Sequence, residues 1–259
     1  MKAMPRESAQ LYRRMLHVAL ASGVLAFLPT ADADAPAAPP GQPAPFSAMH
    51  AGRSLAPWTV VSIGFAKRPT HYDLVDDRGN IVLHAVADNA ASGLAYPMHA
   101  ELRDAPVVSW RWKIAGVIAG ADPHVASRED APARVVLEFD GDRSRLPLVD
   151  RGIYGLAKRA AGRALPYATL MYIWSNDERV GTVIANPHTR RVQMIVASSG
   201  TAGVDQWQSL ARNARADFVR AFGEEPGTLT AVGVLTDSDN TDGHAEAWYG
   251  DIRFQPARH

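Results

Sequence analysis

The chain has 259 residues, of which 47% are hydrophobic, so it can bury a core as one large domain or two small ones. It carries 27 basic and 27 acidic residues, and this balance gives no indication of a nucleic-acid-binding surface. The absence of cysteine excludes disulfides, thiol catalysis and thiolate-bound zinc.

The first residues have the pattern of an export signal. Arg13 and Arg14 precede an apolar run from Met15 to Leu28, and small residues at signal-peptidase spacing follow at 31–35. The run is short for a membrane span. We therefore expect a signal peptide over 1–33, a Pro/Ala-rich linker over 34–45 and a folded domain over 46–259, in a periplasmic or secreted protein with no membrane span in its mature chain. A buried N-terminal helix is the alternative, and the export route stays open.

Native protein is expected to begin near Asp34 or Pro36, because the small residues there follow the apolar run at the spacing of a cleavage site. N-terminal sequencing of protein recovered from the producing cells and their medium checks this expectation. Protein that retains Met1 would contradict export.

Short runs rich in β-branched and aromatic residues dominate the chain after the linker. Within 107–114, Val108, Trp110 and Trp112 alternate with polar residues, which is typical of a strand with one buried face. Asp76 to Asn80 lies between two such runs as a hairpin turn. The spacing predicts an all-β, two-sheet β-sandwich of jelly-roll type. The main predicted strands are 58–65, 70–75, 81–86, 107–114, 133–139, 168–174 and 192–197.

Two segments depart from the strand pattern. Apolar residues recur at helical spacing from Trp207 to Phe222, and Gly223 follows as a C-cap, which predicts one capping helix. The stretch from Asp140 to Pro166 is a long insertion with a predicted helix at 153–161. Connections of this length are often functional, so we interpret it as a lid over a cleft.

The known catalytic motifs for a serine nucleophile, a zinc-binding helix and a phosphate-binding loop are absent from the sequence. No catalytic residue is therefore assigned, and whether the chain is an enzyme stays open, with the balance toward no. Arg111 and Lys113 lie opposite the buried tryptophans of their strand. With Arg134 on a neighbouring predicted strand they could form a cationic groove for carboxylates or acidic sugars, or else a solvated outer face.

Three more residues are candidates for a ligand-binding cleft. Glu138 lies on the polar face of the 133–139 strand, where it could work with Asp140 as a carboxylate pair or simply face solvent. Tyr172 and Trp174 could line a cleft wall, although an apolar strand is usually core.

Acidic residues crowd into the turn after residue 235. Carboxylate oxygens held on a short turn suit a hard cation such as calcium, which takes six to eight oxygen ligands. The alternative is an ordinary solvated turn, because Asp, Asn, Ser and Gly are common turn residues. The candidate metal ligands are Asp237, Asp239, Asp242 and Asp251.

Four blocks of sequence resemble an uncharacterised family of exported bacterial proteins, domain of unknown function 3047. The blocks are 110–113, 165–174, 236–241 and 249–254, and the resemblance runs from about Trp58 to Phe254. It implies export and no particular activity. The end of the chain also resembles jelly-roll carbohydrate-binding modules, whose last strand often carries an Asp near a structural calcium. Asp251 matches that position.

These observations predict an exported cell-envelope binding module for a glycan or other polar ligand, with calcium as a structural ion. An enzyme acting on envelope or extracellular polysaccharide through Arg111, Arg134 and Glu138 is the second hypothesis. A structural envelope protein without a small ligand is the third. A groove lined by exposed aromatics would favour the first, one lined by Arg111, Arg134 and carboxylates the second, and no groove the third.

Overall fold

The computed structural model describes residues 39–63, 67–146 and 165–257. The predicted signal peptide, the first part of the predicted linker and the predicted helix at 153–161 lie outside these residues. Within the described part of the chain, no helix has the length and hydropathy needed to cross a membrane.

The described residues form thirteen strands, one α-helix and two short 3₁₀ turns, at Phe46–Ala48 and Arg143–Arg145. The helix, α1, is Ala214–Phe222. In chain order the strands are β1 (Thr59–Ser62), β2 (His71–Asp77), β3 (Asn80–Asp88), β4 (Ala91–Ala100), β5 (Val107–Ile114), β6 (Arg134–Phe139), β7 (Ala168–Ser175), β8 (Val183–Ala185), β9 (Val192–Ser199), β10 (Gln208–Asn213), β11 (Leu229–Asp237), β12 (His244–Tyr249) and β13 (Arg253–Gln255).

The strands form two sheets, which confirms the predicted all-β sandwich of jelly-roll type. The large sheet has seven strands in the order β1-β4-β11-β6-β7-β9-β8. The small sheet has six strands. Five of them have the order β10-β5-β12-β3-β2, and the sixth, β13, pairs with β5. All neighbouring pairs are antiparallel except β7 and β9, which run parallel. Strands adjacent in space are often far apart in sequence.

The main core lies between the two sheets and is rich in aromatic rings. Trp110 of the small sheet stacks on Tyr172 of the large sheet, with ring centroids 5.0 Å apart. The ring centroids of Trp112 and Trp174 lie 6.1 Å apart across the same interface, with the two rings tilted by 44°. Along β5, residues alternate between buried and half-buried, so the predicted inner face is confirmed.

The hairpin predicted at Asp76 to Asn80 joins β2 and β3. Asp77 pairs with Asn80, which leaves a two-residue loop. Arg78 and Gly79 both have positive φ, at 59° and 85°. Two left-handed residues in a two-residue loop are the geometry whose twist matches that of the flanking strands.

The predicted helix from Trp207 to Phe222 is only half helical. Residues 208–213 form β10, which pairs along β5, and α1 begins after Asn213. The Asn213 side chain accepts a hydrogen bond from the backbone N–H of Ala216 at 2.9 Å and so caps the helix. Gly223 ends it with φ 72°, as the sequence predicts. The prediction was wrong over 207–213 because the edge of β5 offers that segment a strand partner.

Candidate functional site

A groove of about 570 Å³ lies on the outer face of the large sheet, and we refer to it as the sheet groove. Its floor is made of small residues from two neighbouring strands, namely Gly93 and Ala95 of β4 and Ala231 and Gly233 of β11. Larger side chains stand around this floor, among them Val61 of β1, Val136 of β6 and Met171 of β7. The volume is within the range of small-molecule sites.

The low floor follows from close contact between β4 and β11. Gly233 pairs with Ala95, and a Cβ at position 233 would come within 2.9 Å of the Leu94 carbonyl oxygen. Leu94 itself points inward to the main core. The backbone therefore requires glycine at 233, and the resulting lack of side chains opens the groove at its centre.

One end of the sheet groove is closed by a buried ion cluster around Arg134. Its side chain is 2% exposed. The guanidinium Nε and Nη2 donate to the two carboxylate oxygens of Asp237, both at 2.9 Å, and Nη1 donates to Glu129 Oε1 at 2.6 Å. This forked pairing is the strong form of an arginine–carboxylate contact.

Burial raises the pKa of the Asp237 carboxyl to about 7, and Arg134 acts in the opposite direction. The neighbouring Asp130 and Glu129 carboxylates add to the rise. For Arg134, burial alone would lower the pKa, but Asp237 and Glu129 outweigh it and the pKa is raised. Arg134 therefore stays charged, and its charge compensates a crowded acidic region.

Three aspartates converge at the same end of the groove, and we call them the aspartate trio: Asp130, Asp237 and Asp239. One carboxylate oxygen from each lies within 4.8 Å of the others, so the trio could hold a metal ion. Asp130 accepts hydrogen bonds from the backbone N–H groups of Asn240 and Thr241, at 3.2 and 2.8 Å. Asp239 forms an ion pair through Oδ2 with Lys67, while its Oδ1 is buried and has no hydrogen-bond partner.

Glu138 lines the sheet groove toward its other end. In the β11–β6 register Glu138 pairs with Ala231, whereas Asp237 lies six positions further along β11. At about 3.4 Å per residue the two carboxylates are about 20 Å apart along the strands. Glycosidase carboxylate pairs lie about 5–9.5 Å apart, so Glu138 and Asp237 cannot act as such a pair.

A family model described as "Protein of unknown function (DUF3047)" matches residues 56–253. The chain belongs to this family. The matched region spans β1 to β12 and includes all the residues that line the groove. No curated protein matches the chain.

Several solved structures are distantly similar to this member of the family. A family 30 carbohydrate-binding module of a cellulosomal cellulase from Clostridium thermocellum is 10% identical, with 81% of this chain and 91% of that one covered and a TM-score of 0.35. A family 12 glycoside hydrolase is 7% identical, with 81% and 96% covered and a TM-score of 0.39. The xyloglucanase domain of NopAA from Sinorhizobium fredii is 10% identical, with 79% and 100% covered and a TM-score of 0.36.

The predicted metal ligands do not form one group. Asp237 and Asp239 come together, but Asp242 is outside the trio and accepts a hydrogen bond from Asn89 at 2.9 Å. Asp251 is also outside it and accepts from Ser47 Oγ at 2.6 Å. The prediction of all four as one site was wrong, because the tight turn directs Asp242 away and Asp251 lies next to β13 in the other sheet.

Asp130, the third member of the trio, was not among the predicted metal ligands. Asp130 lies shortly before β6, and β6 pairs with β11, which ends at Asp237. Its proximity to Asp237 depends on a pairing between segments about one hundred residues apart. The only signal in the sequence was an acidic pair, Glu129 and Asp130, next to a predicted strand.

The predicted cationic groove of Arg111, Lys113 and Arg134 was also wrong. Arg111 and Lys113 are on β5 of the small sheet, whereas Arg134 is on β6 of the large sheet. Both strands were predicted correctly, but they are not neighbours. The predicted enzyme face is also split between the sheets, because Arg111 lies on the small sheet and both Arg134 and Glu138 lie on the large sheet.

Tyr172 and Trp174 are both 0% exposed and belong to the main core, so the predicted cleft wall was wrong. The hydroxyl of Tyr172 donates to Asp217 at 3.0 Å, and Nε1 of Trp174 donates to the carbonyl of Gly200 at 3.0 Å. These bonds satisfy the polar atoms of rings that otherwise pack between the sheets. Of the six predicted ligand residues, Arg134 and Glu138 line the sheet groove.

Proposed function

We propose that this protein is an exported binding module of the cell envelope that holds a glycan, or a ligand with similar polar groups, in the sheet groove. The observation that carries the proposal is the groove itself, whose apolar floor lies between polar groups at both ends. A groove favours a ligand-binding role over a purely structural one. The support for export is the N-terminal sequence pattern.

The groove suits a sugar chain for two reasons. Its lining extends along β11 from Ala231 to Asp237, about 20 Å, which favours an elongated ligand. A sugar ring has apolar C–H faces and a rim of hydroxyls. The small-residue floor can contact the faces, and Glu138, Asn186 and Asn240 can bond hydroxyls at the rim.

The enzyme hypothesis has no comparable support among the described residues. The described groove lining contains Arg134 and several carboxylates but not Arg111, so it has part of the lining expected of an enzyme, and it contains none of the aromatic side chains expected of a binding module. However, Arg134 is committed to Asp237 and Glu129, and Glu138 is too far from Asp237 to act with it. We therefore propose binding without catalysis.

Filling the groove should abolish glycan binding. A Cβ at position 93 would make only ordinary contacts, the nearest at 3.5 Å, and would lie 4.0 Å from Val61 Cβ in the groove. Gly93→Leu should therefore fold normally and block the floor. Gly116→Leu is the matched control, because a Cβ there meets nothing within 4 Å and Gly116 is outside the groove.

The measurement is a glycan array on the full chain, followed by titration calorimetry with the best-bound glycan. Gly93→Leu should lose the heat of binding while Gly116→Leu retains it. Equal binding by both variants, with the parent's melting temperature, would place the glycan elsewhere. No binding by the parent to any glycan would refute the proposal.

We propose calcium as the ion that the aspartate trio would hold. Support comes from three converging carboxylates and from the buried, unpartnered Oδ1 of Asp239. The Lys67 ammonium now neutralises Asp239, so calcium would have to replace this contact. Arg134 would continue to hold Asp237 from the other side.

Calcium should then raise the melting temperature, because it binds the folded site and not the dispersed chain. The free energy of unfolding should increase by about 2.7 kcal/mol when calcium exceeds its dissociation constant 100-fold. Asp239→Asn should remove the response, and Asp242→Asn, an exposed aspartate of the same turn, should keep it. Thermal melts in millimolar calcium and in excess chelator measure this, and coincident curves for the parent would exclude the ion.

A further inference from the structure

The outer face of the small sheet carries a row of cationic and aromatic side chains, on the opposite side of the sandwich from the sheet groove. Trp248 of β12 pairs with Lys113 of β5 on one side and with His84 of β3 on the other. Trp207 lies directly before β10, the next strand beyond β5, and Arg111 is two positions from Lys113. We call these five residues the cation–aromatic array.

The members of the array hold one another in place. The guanidinium carbon of Arg111 lies 4.4 Å from the ring centroid of Trp207. Lys113 Nζ lies 4.2 Å from the ring of Trp248 and 5.5 Å from that of Trp207. His84 stacks on Trp248 with centroids 5.0 Å apart. Contacts between cations and ring faces order the cations while leaving their N–H donors available.

Neither Arg111 nor Lys113 takes part in any ion pair within the described part of the chain. The carboxylates of this face have other partners. Asp77 accepts a hydrogen bond from Trp207 Nε1 at 2.6 Å, and Asp73 and Glu246 contact the two ring nitrogens of His84 at 3.2 and 2.7 Å. Among the described residues, the β5 side of the array therefore presents two cations that form no ion pair with a carboxylate.

A cavity of about 390 Å³ adjoins Arg111 and includes Ser109, Ser209, Asp251 and Arg253 in its lining. Asp251 accepts from Arg253 at 3.1 Å, so the charge of Arg111 is left uncompensated there. The Ser209 hydroxyl adds a neutral donor, whereas the Ser109 hydroxyl donates to the carbonyl oxygen of Arg253 at 3.5 Å. The cavity thus favours an anionic group.

Gly250 directs the Arg111 side chain across the sheet. A Cβ at position 250 would lie 2.5 Å from Arg111 Cγ and 2.6 Å from its Nε. The stem of Arg111 therefore occupies space that is free only because residue 250 is glycine. This contact fixes the direction of the guanidinium and supplies a way to move it without removing its charge.

We propose that the cation–aromatic array binds the carboxylates of an acidic polysaccharide. Arg111 offers a planar fork to one carboxylate and Lys113 a point charge to another. Residues two apart on a strand are about 6.7 Å apart, so the two cations form a short periodic row that suits a polymer with repeated charges. The Trp207 ring provides the apolar contact that a sugar ring needs. This site is separate from the sheet groove and does not depend on the function proposed for it.

The test is titration of the full chain with polygalacturonate and with its methyl ester, which has the same backbone without the charges. The parent should bind the acid form, more weakly at high salt, and not the ester. Arg111→Gln and Lys113→Gln should each bind about tenfold more weakly or worse, and Gly250→Ala should also weaken binding although the net charge is unchanged. Arg103→Gln, which removes an exposed arginine outside the array, should bind as the parent does.

The outcomes separate this site from the groove. Gly93→Leu should leave polygalacturonate binding unchanged, and Arg111→Gln should leave binding at the groove unchanged. Equal binding of acid and ester, or full binding by Arg111→Gln with the parent's melting temperature, would overturn the proposal. Binding to phosphatidylglycerol vesicles in place of polygalacturonate would overturn it too, because the partner would then be a lipid surface.

Discussion

Replacing Arg134 with methionine should lower the free energy of unfolding by about 3–5 kcal/mol, the range for removing one partner of a buried ion pair. The change leaves Asp237 and Glu129 without the guanidinium that donates to both of them. Asp237 is 4% exposed and Glu129 is 8% exposed, so water from the groove can replace only part of those bonds. Urea denaturation measures the effect. The dependence of the unfolding free energy on urea concentration should be the same in variant and parent, so that a shift of the midpoint reports a change in stability.

Two comparisons test this explanation. Arg215→Met breaks an exposed ion pair with Glu225, in which the side chains are 45% and 63% exposed, and should cost only about 0–1 kcal/mol. Adding Asp237→Asn to Arg134→Met should restore part of the loss, because it removes a buried carboxylate that has lost its cationic partner and keeps, among the described residues, only the hydrogen bond from the backbone N–H of Ala131. If Arg134→Met were as stable as the parent, the ion cluster would not contribute to the fold.

Trp112→Ala should lower the free energy of unfolding by about 3–5 kcal/mol, the usual cost of truncating a buried aromatic side chain. The ring is 0% exposed, and its Nε1 donates to Ser198 Oγ at 3.1 Å. That hydroxyl in turn donates to Gln208, so the bond links β5, β9 and β10. The substitution would leave a cavity and break this link between the sheets.

Arg111→Ala, one residue away on the same strand, is the matched control and should change stability by no more than about 0.5 kcal/mol. Its side chain lies on the outer face, over Trp207. Trp110→Ala should resemble Trp112→Ala, since its ring is 4% exposed, although its Nε1 has no hydrogen-bond partner to lose. If denaturation curves gave Trp112→Ala the same free energy of unfolding as Arg111→Ala, they would contradict the burial of the Trp112 ring.

Local pattern was sufficient to predict the faces of several strands. Along β5 and β6, residues with odd and even numbers differ in polarity, and because side chains alternate across a strand this assigns Trp110 and Val135 to the core. The same applies to the β2–β3 hairpin and to the end of α1 at Gly223. Each of these features is set by contacts within a few residues, so the sequence contains the information.

Local pattern was not sufficient where a segment had two favourable states. Residues 207–213 have apolar positions at helical spacing, yet residues 208–213 form β10. The free edge of β5 decided the outcome, since pairing along six residues satisfies backbone groups that a helix would satisfy internally. The periodicity of the segment does not reveal that such an edge is available.

The sequence by itself determined the sandwich, the inner and outer faces of its main strands and the family. Only the tertiary structure decided which outer faces share a sheet. It separated Arg111 from Arg134, joined Asp130 to Asp237 and Asp239, and made the floor of the groove from β4 and β11, which are more than one hundred residues apart. The physical reason is that the alternation of side chains is a property of a single strand and can be recognised in its sequence. The order of strands in a sheet depends on pairing between distant segments, and the polar residues on the outer face of a strand do not indicate which strand lies beside it.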